Sequence, residues 1–364
     1  MKVLVFQDFL RQGGTETQTL FLARSFAQEG VHVEVATFRP GGALYPDLEA
    51  AGLPHHILQP FDTRLNTFVP GLGRVLRNVR PDIVLLMGRM ANNLGVRIQK
   101  IATDSRVVAT ARTGKAFPPG NRRTFAKADA VVANSRWAAE RVAMRGGVPE
   151  RIHVIHNGFA RDWSDPEAVN ERSVARTDAG VPEGSCVFLS VAAFRPGKGQ
   201  ERLVQLFAKL PQRLPWQLWM VGDGKRRQPC EVLARKLDLR ARVRFWGSQS
   251  RPRPYYAGAD CAVHASRTES LPNFLVEAQT AALPVVAMRA GGVGETFLNG
   301  ESGYLHDQDD EAGFLQSVRT LLEDAKRRHQ MGEAGAQYAR TQFEPKASVR
   351  AYLDLFETLL AERR

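Results

Sequence analysis

Two glutamates eight residues apart, Glu269 and Glu277, are the only charged residues in TESLPNFLVEAQTAALPVVA, residues 268–287. Burying a carboxylate is costly unless a partner or hydrogen bonds compensate it, so an apolar run that keeps two of them points to chemistry. In one continuous helix they would stand about 80° apart and ~12 Å along the axis, facing different parts of a ligand. Pro272 suits a first helical turn and Ser270 reads as its cap. Glu269 then belongs to a loop and Glu277 to the second turn. The first backbone N–H groups, at Asn273, Phe274 and Leu275, would face outward as an anion site. A ligand with phosphates in the middle and hydroxyl-rich groups at both ends satisfies all three features, and a nucleotide sugar is such a ligand. The alternative, two ordinary surface glutamates, fits poorly with so apolar a run.

Two further loops carry the residue types that hold phosphates. Phe194-Arg-Pro-Gly-Lys-Gly199 follows an apolar β-branched run and precedes an amphipathic one. Lys198 there is a point charge and Arg195 a fork for two oxygens, or the loop is a solvated basic turn. Arg11-Gln-Gly-Gly-Thr-Glu16 holds a corresponding place near the start of the chain. Its Gly13-Gly14 pair would let backbone approach a ligand, or simply make a tight turn. Gly222-Asp-Gly224, Gly247-Ser248 and Gly291-Gly-Val-Gly-Glu295 follow other apolar runs, and together suggest a rim of backbone packed around one ligand.

These loops require a scaffold of strands alternating with helices. Runs at Val3–Phe6, Val33–Thr37, Ile83–Met87, Val107–Ala111, Ala130–Ala133 and Ile152–Ile155 predict strands, with helical stretches such as Thr17–Gln28 and Ser135–Ala143 between them. The alternation restarts at Val187–Val191, Leu218–Val221, Val243–Phe245, Cys261–His264 and Val285–Ala287. The expected fold is α/β: two doubly wound Rossmann-like domains facing a cleft. The boundaries expected are a first domain over 1–163, a polar linker over 164–180, a second domain over 181–344 and a closing helix over 345–364 able to pack back on the first.

Composition narrows the classes. The chain has 364 residues and a formal net charge of +12, which admits nucleic acid, a membrane surface or phosphorylated small molecules as partners. No nucleic-acid motif or aromatic-interleaved basic stripe accompanies the charge, so a basic nucleic-acid-binding protein is the most distant reading. Three widely spaced cysteines, Cys186, Cys230 and Cys261, exclude a disulfide framework and indicate a reducing cytoplasm. No run approaches the ~20 apolar residues of a spanning helix. Arg74, Arg77 and Arg80 alternate with Leu72, Val75, Leu76 and Val79 at helical spacing. That face admits peripheral contact with an anionic membrane, or is an ordinary packed helix with a solvated side. His55-His56 beside Pro54 reads as a turn, and Asp307-Gln-Asp309 as an exposed acidic loop, so no metal site is expected.

The chain resembles the retaining glycosyltransferases of family 4, which have the GT-B fold. In the second half the likeness rests on the E-x7-E pair Glu269–Glu277, the Lys198-Gly199 turn, VGDG at Val221–Gly224, RFWG at Arg244–Gly247, GGVGE and GESGYL. In the first half it rests on Gly13-Gly14-Thr15-Glu16, RPDIV, VVANS and IHNGF. The resemblance implies a donor site in the second domain and an acceptor site mainly in the first. By position, Glu277 would hold the ribose hydroxyls and Glu269 the sugar hydroxyls. Lys198 and the backbone at Asn273–Leu275 (Asn273, Phe274 and Leu275) would hold the diphosphate, with Leu271 and Pro272 also in the donor site. The stretch around Arg244–Ser248, with Trp246 and Gly247, would meet the base, Gly14 would approach the donor phosphates, and Gly13 and Gly222 also belong to the expected donor site.

Two positions depart from the family pattern. Ala193 stands where the family often has a phosphate-binding arginine, and Arg195 is the substitute nearest in sequence. Arg112 stands where a histidine often faces the transferred sugar; it could hydrogen-bond sugar or acceptor but, always protonated, could not act as a base. Catalysis is thus expected from Glu269, Lys198, Arg195 and Arg112, with a nucleotide-sugar co-substrate, no required cofactor and a saccharide or lipid-linked acceptor. A nucleotide-sugar epimerase or hydrolase of the same fold is the nearest rival.

Overall fold

The computed structural model describes residues 1–11, 13–59, 61, 68–159 and 167–362. The chain divides into two compact units: Met1–Gly158 with Pro345–Arg364, and Phe159–Glu344.

Among the described residues, unit 1 contains strands β1 (Lys2–Gln7), β2 (His32–Thr37), β3 (His55–Ile57), β4 (Ile83–Leu86), β5 (Arg106–Ala111), β6 (Ala130–Ala133) and β7 (Ile152–Val154), in the order β3-β2-β1-β4-β5-β6-β7. Every pairing is parallel. Because side chains alternate across a strand, Val3 and Val5 enter one core and Leu4 and Phe6 another, on the opposite face. Ile83 and Leu85 against Val84 and Leu86 repeat the split. Two buried faces explain why these strands read as unbroken apolar runs.

Unit 2 repeats the design with β8 (Cys186–Val191), β9 (Trp216–Val221), β10 (Val243–Gly247), β11 (Cys261–His264), β12 (Val285–Met288) and β13 (Gly303–His306), ordered β10-β9-β8-β11-β12-β13. Leu218 and Met220 pack on one side, Trp219 and Val221 on the other. In both sheets the strand order reverses next to the first strand, between β1 and β4 and between β8 and β11. Loops leaving the carboxyl ends of those neighbours diverge to opposite faces and leave a crevice, the usual ligand position in an open α/β sheet.

Two expectations are corrected. His55-His56 is not a turn but the edge strand β3, paired with Val35 and Ala36; its rings bond outward, His56 Nε2 to Glu34 Oε2 at 2.6 Å and His55 Nε2 to the Tyr45 hydroxyl at 2.5 Å. The expected linker contains a helix, Glu167–Asp178, belonging to unit 2; residues 164–166 lie outside the described ones. The polar pattern concealed it because two arginines dock it: Arg172 and Arg176 pair with Asp260 at 2.6 and 3.0 Å, while Ala175 and Ala179 enter the core. The helix 72–79 is amphipathic as expected, and Leu72, Val75, Leu76 and Val79 are buried within unit 1, leaving Arg74 and Arg77 on the exposed side.

The last helix, Pro345–Ala361, lies in unit 1. Tyr352, Leu355, Phe356 and Leu359 complete the core beneath helix Gly14–Gln28. Phe26 meets the rings of Tyr352 and Phe356 edge-on at 5.9 and 5.6 Å.

Candidate active site

In unit 2 the loop after β8 and the loop after β11 flank the point where strand order reverses, and they bring together two residues 71 apart in sequence. Lys198 Nζ donates to both oxygens of Glu269, at 2.7 and 2.9 Å. The loops are also tied through the Gly197 carbonyl, which accepts from Ser266 Oγ and the Arg267 amide, both at 2.8 Å. Gly199 closes the turn at φ +77°, and a Cβ there would stand 2.0 Å from the Ala265 carbonyl oxygen. The glycine is required by loop-to-loop approach rather than by a ligand.

Glu269 is 7% exposed. Burial alone would push its carboxyl upward, but His264 and Lys198 outweigh that and hold it at about 2. His264, the last residue of β11 and 2% exposed, places Nε2 3.2 Å from Glu269 Oε1. That nitrogen is buried without an aligned hydrogen bond, so the contact is one of charge and packing. Glu269 is therefore a fixed, ionised acceptor.

Helix Asn273–Thr280 follows directly. Its N-cap position is Pro272, whose side chain makes no capping bond; Ser270 just ahead is buried, with its carbonyl accepting from the Gly292 amide at 2.9 Å. The Leu275 amide is spent on the Pro272 carbonyl at 3.0 Å, which removes it from the expected anion site. Leu271, Phe274 and Leu275 are buried and anchor this helix start. Glu277 is half-buried on the second turn and accepts a hydrogen bond from the Tyr256 hydroxyl.

The other expected site residues fall in several places. Arg195 is exposed at the outside of its turn, as is Ala193. Gly222 and Gly224 pack against the carbonyls of Ala192 and Phe194, where a Cβ would stand 2.1 and 2.4 Å away. At these two positions the absence of a Cβ lets neighbouring loops touch. Trp246 and Gly247 end β10, with Trp246 packed against Tyr255 and Trp219 at 5.1 and 5.6 Å.

Gly13, Gly14 and Arg112 belong to unit 1. Gly13 precedes helix Gly14–Gln28, and Glu16 folds back so closely that a Cβ on Gly13 would lie 2.5 Å from its carboxylate. Arg112 bonds Tyr352 Oη at 3.1 Å and also the Asn157 side chain, joining the end of β5 to the last helix. The Asp307-Gln-Asp309 stretch is tied down by Arg289–Asp307 at 2.6 Å and by Arg202 donating to the Gln308 side chain at 2.8 Å.

Sequence reasoning missed His264 and Tyr256. His264 carries a usable signal, a histidine closing an apolar strand five residues before Glu269. Tyr256, in YY between arginines and alanine, carries none.

Residues 12–163 match the family Glycosyltransferase Family 4, and residues 171–338 match Glycosyl transferases group 1. The chain belongs to this glycosyltransferase family. Similar curated glycosyltransferases include the lipopolysaccharide core biosynthesis glycosyltransferase LpsE of Rhizobium meliloti, 29% identical over 98% of each chain. Another is D-inositol 3-phosphate glycosyltransferase 2 of Catenulispora acidiphila, 27% identical over 97% of this chain and 91% of that one. Anabaena HepE, solved in complex with UDP and glucose, superposes with a TM-score of 0.86 at 23% identity, covering 98% of this chain and 99% of its own. The glycosyltransferase thus has the GT-B fold of two Rossmann-like domains.

Proposed function

We propose that this glycosyltransferase moves a sugar from a UDP- or GDP-sugar to a saccharide or lipid-linked acceptor, with retention of anomeric configuration, in cell-surface polysaccharide or glycolipid synthesis. The observation that carries the reading is the convergence of Lys198, Glu269 and the start of helix Asn273–Thr280 where unit 2 reverses its strand order. An ammonium has three donors. Two lie on Glu269, and the third remains to reach a diphosphate oxygen. As the glycosidic bond breaks, negative charge grows on the leaving diphosphate, and Lys198 supports it without need of a metal or cofactor. Glu269, ionised and immobile, orients the sugar through its hydroxyls. The acceptor hydroxyl attacks from the leaving-group face, and its proton passes to the departing phosphate oxygen. Glu277, steadied by Tyr256, takes the ribose hydroxyls.

The buried free thiols of Cys186, Cys230 and Cys261 support a reaction in the reducing cytoplasm. The exposed Arg74 and Arg77 side of helix Leu72–Val79 supports peripheral contact with an anionic membrane. No described helix is long and apolar enough to cross one.

A panel of UDP-, GDP- and ADP-sugars tested by thermal shift checks the donor assignment. A ligand at 100 times its Kd should stabilise by about 2.7 kcal/mol. Glu277→Ala should weaken nucleotide binding, whereas Glu269→Ala should chiefly reduce discrimination among sugars. Silence from the whole panel, or unchanged nucleotide affinity in Glu277→Ala, overturns the assignment.

A further inference from the structure

His264 is a polar residue where the local fold asks for an apolar one. It closes β11, whose other residues, Cys261, Ala262 and Val263, are fully buried and pack as hydrophobes. Its partner across the sheet, Ala287 of β12, is apolar as well. An aliphatic side chain would end such a strand at less cost, because a buried ring nitrogen must find a partner. Yet the Nε2 atom of His264 is buried with no aligned hydrogen bond. It does have a direction, since it stands 3.2 Å from Glu269 Oε1.

The distance already suits a hydrogen bond, and only the angle is wrong. A bare ring nitrogen would repel the carboxylate lone pairs at 3.2 Å, so Nε2 carries the hydrogen. Lys198 Nζ meanwhile holds both oxygens of Glu269, at 2.7 and 2.9 Å, and fixes the carboxylate plane. The imidazole also packs on Phe274, with ring centroids 6.2 Å apart, so it touches both the loop carboxylate and the start of helix Asn273–Thr280. An ionised carboxylate has about four acceptor sites. Lys198 takes two, Oε1 offers a third to His264, and Oε2 keeps capacity for a sugar hydroxyl. The outer torsion of a histidine is broad, so a small turn of the ring aligns the N–H without moving the strand.

We infer that His264 is a positioning residue for the donor sugar: as the diphosphate draws Lys198 toward itself, the Nε2–H of His264 closes on Glu269 Oε1 and holds the carboxylate with Oε2 toward the sugar hydroxyls. This deepens the transferase reading and rests on it. Lys198 has two duties that conflict, because the ammonium that neutralises Glu269 also supports the growing charge on the leaving group. A second donor at the rigid end of a strand separates them. Without it the carboxylate would turn with the lysine. The sugar would then lose a fixed acceptor while the nucleotide kept its contacts.

Two measurements on the full chain test this. In the first, histidine labelled with heavy nitrogen reports the tautomer of His264 by NMR, the signal being assigned by its loss in His264→Phe or His264→Gln. The Nε2–H signal should be present in the free protein and move downfield when the nucleoside diphosphate that binds is added. A tautomer protonated only at Nδ1 in the free protein overturns the inference with no ligand involved. In the second, calorimetry compares UDP-glucose with UDP, GDP-mannose with GDP and ADP-glucose with ADP. For the pair that binds, His264→Phe should weaken the nucleotide sugar about tenfold relative to its nucleoside diphosphate, the scale of one charge-assisted hydrogen bond. His264→Gln, which places an amide N–H near the Nε2 position, should recover most of that loss. An equal fall for both members of the pair, or no difference between the two variants, marks a merely structural role and overturns the inference. Binding by none of these compounds strikes the transferase reading itself, a result distinct from a bound donor that ignores His264. Urea midpoints near the wild-type value confirm that the variants fold.

Discussion

Replacing Lys198 with methionine keeps the length of the side chain and removes its charge. In the native protein Glu269 titrates at about 2 instead of the ordinary 4.5; at 1.36 kcal/mol per pH unit this corresponds to about 3 kcal/mol of preference for the ionised, folded form. Its sign follows from the direction. A depressed carboxylate contributes fully above its unfolded value and loses that contribution as pH falls from about 4.5 toward 2. In Lys198→Met the carboxylate stays buried beside His264 alone, and breaking such a pair by removing one partner costs about 3–5 kcal/mol near neutrality. One of the two groups that offset burial is then lost, so the depression of the carboxyl shrinks and protonation costs the variant less than the wild type. Urea unfolding followed through Trp216, Trp219 and Trp246, all in unit 2, measures both effects. The gap between the proteins should be widest near pH 7 and narrow by about half or more near pH 4. Adding Glu269→Gln should close much of it at pH 7. A gap below about 1 kcal/mol at pH 7, or one equal at both pH values, would refute the view that this pair is a compensated buried charge.

Tyr256→Phe deletes only the hydroxyl that bonds Glu277; UDP affinity should fall about two- to tenfold, the worth of one hydrogen bond, with sugar discrimination unchanged, as isothermal titration would show. Phe356→Ala empties a fully buried position beneath Phe26 and should destabilise unit 1 by about 3–5 kcal/mol. Because UDP is assigned to unit 2, its affinity should persist at temperatures below the first unfolding transition, a separation that calorimetric scans with and without UDP can resolve.

The strands were legible because parallel sheets buried on both faces leave near-continuous apolar runs such as VLLM and CVFLSV. β3 escaped because an edge strand of three residues can be HHI, with its rings bonded to Glu34 and Tyr45 rather than packed. Helix Glu167–Asp178 escaped because its docking relies on Arg172 and Arg176 reaching Asp260 more than on an apolar stripe. At the site, the identities of Glu269, Lys198 and Glu277 were readable from type and spacing, but the bond between the first two was not. It depends on β8 and β11 being neighbours, a property of strand order and not of local sequence. The glycines are ambiguous for a related reason. Gly199, Gly222 and Gly224 accommodate the carbonyls of adjoining loops, and sequence cannot tell a backbone that approaches a ligand from one that approaches another backbone.

Unit 1 is discontinuous: its core is finished by Tyr352, Leu355, Phe356 and Leu359, delivered after all of Phe159–Glu344. During synthesis this sets an order opposite to the usual N-terminal-first rule. The ribosome releases a complete second unit while the first still exposes the apolar side of helix Gly14–Gln28 to the surroundings. The nascent chain is therefore most exposed to aggregation and chaperone capture while its second half is being translated. A stop codon shortly before residue 345 would leave a well-formed donor module tethered to an unfinished partner.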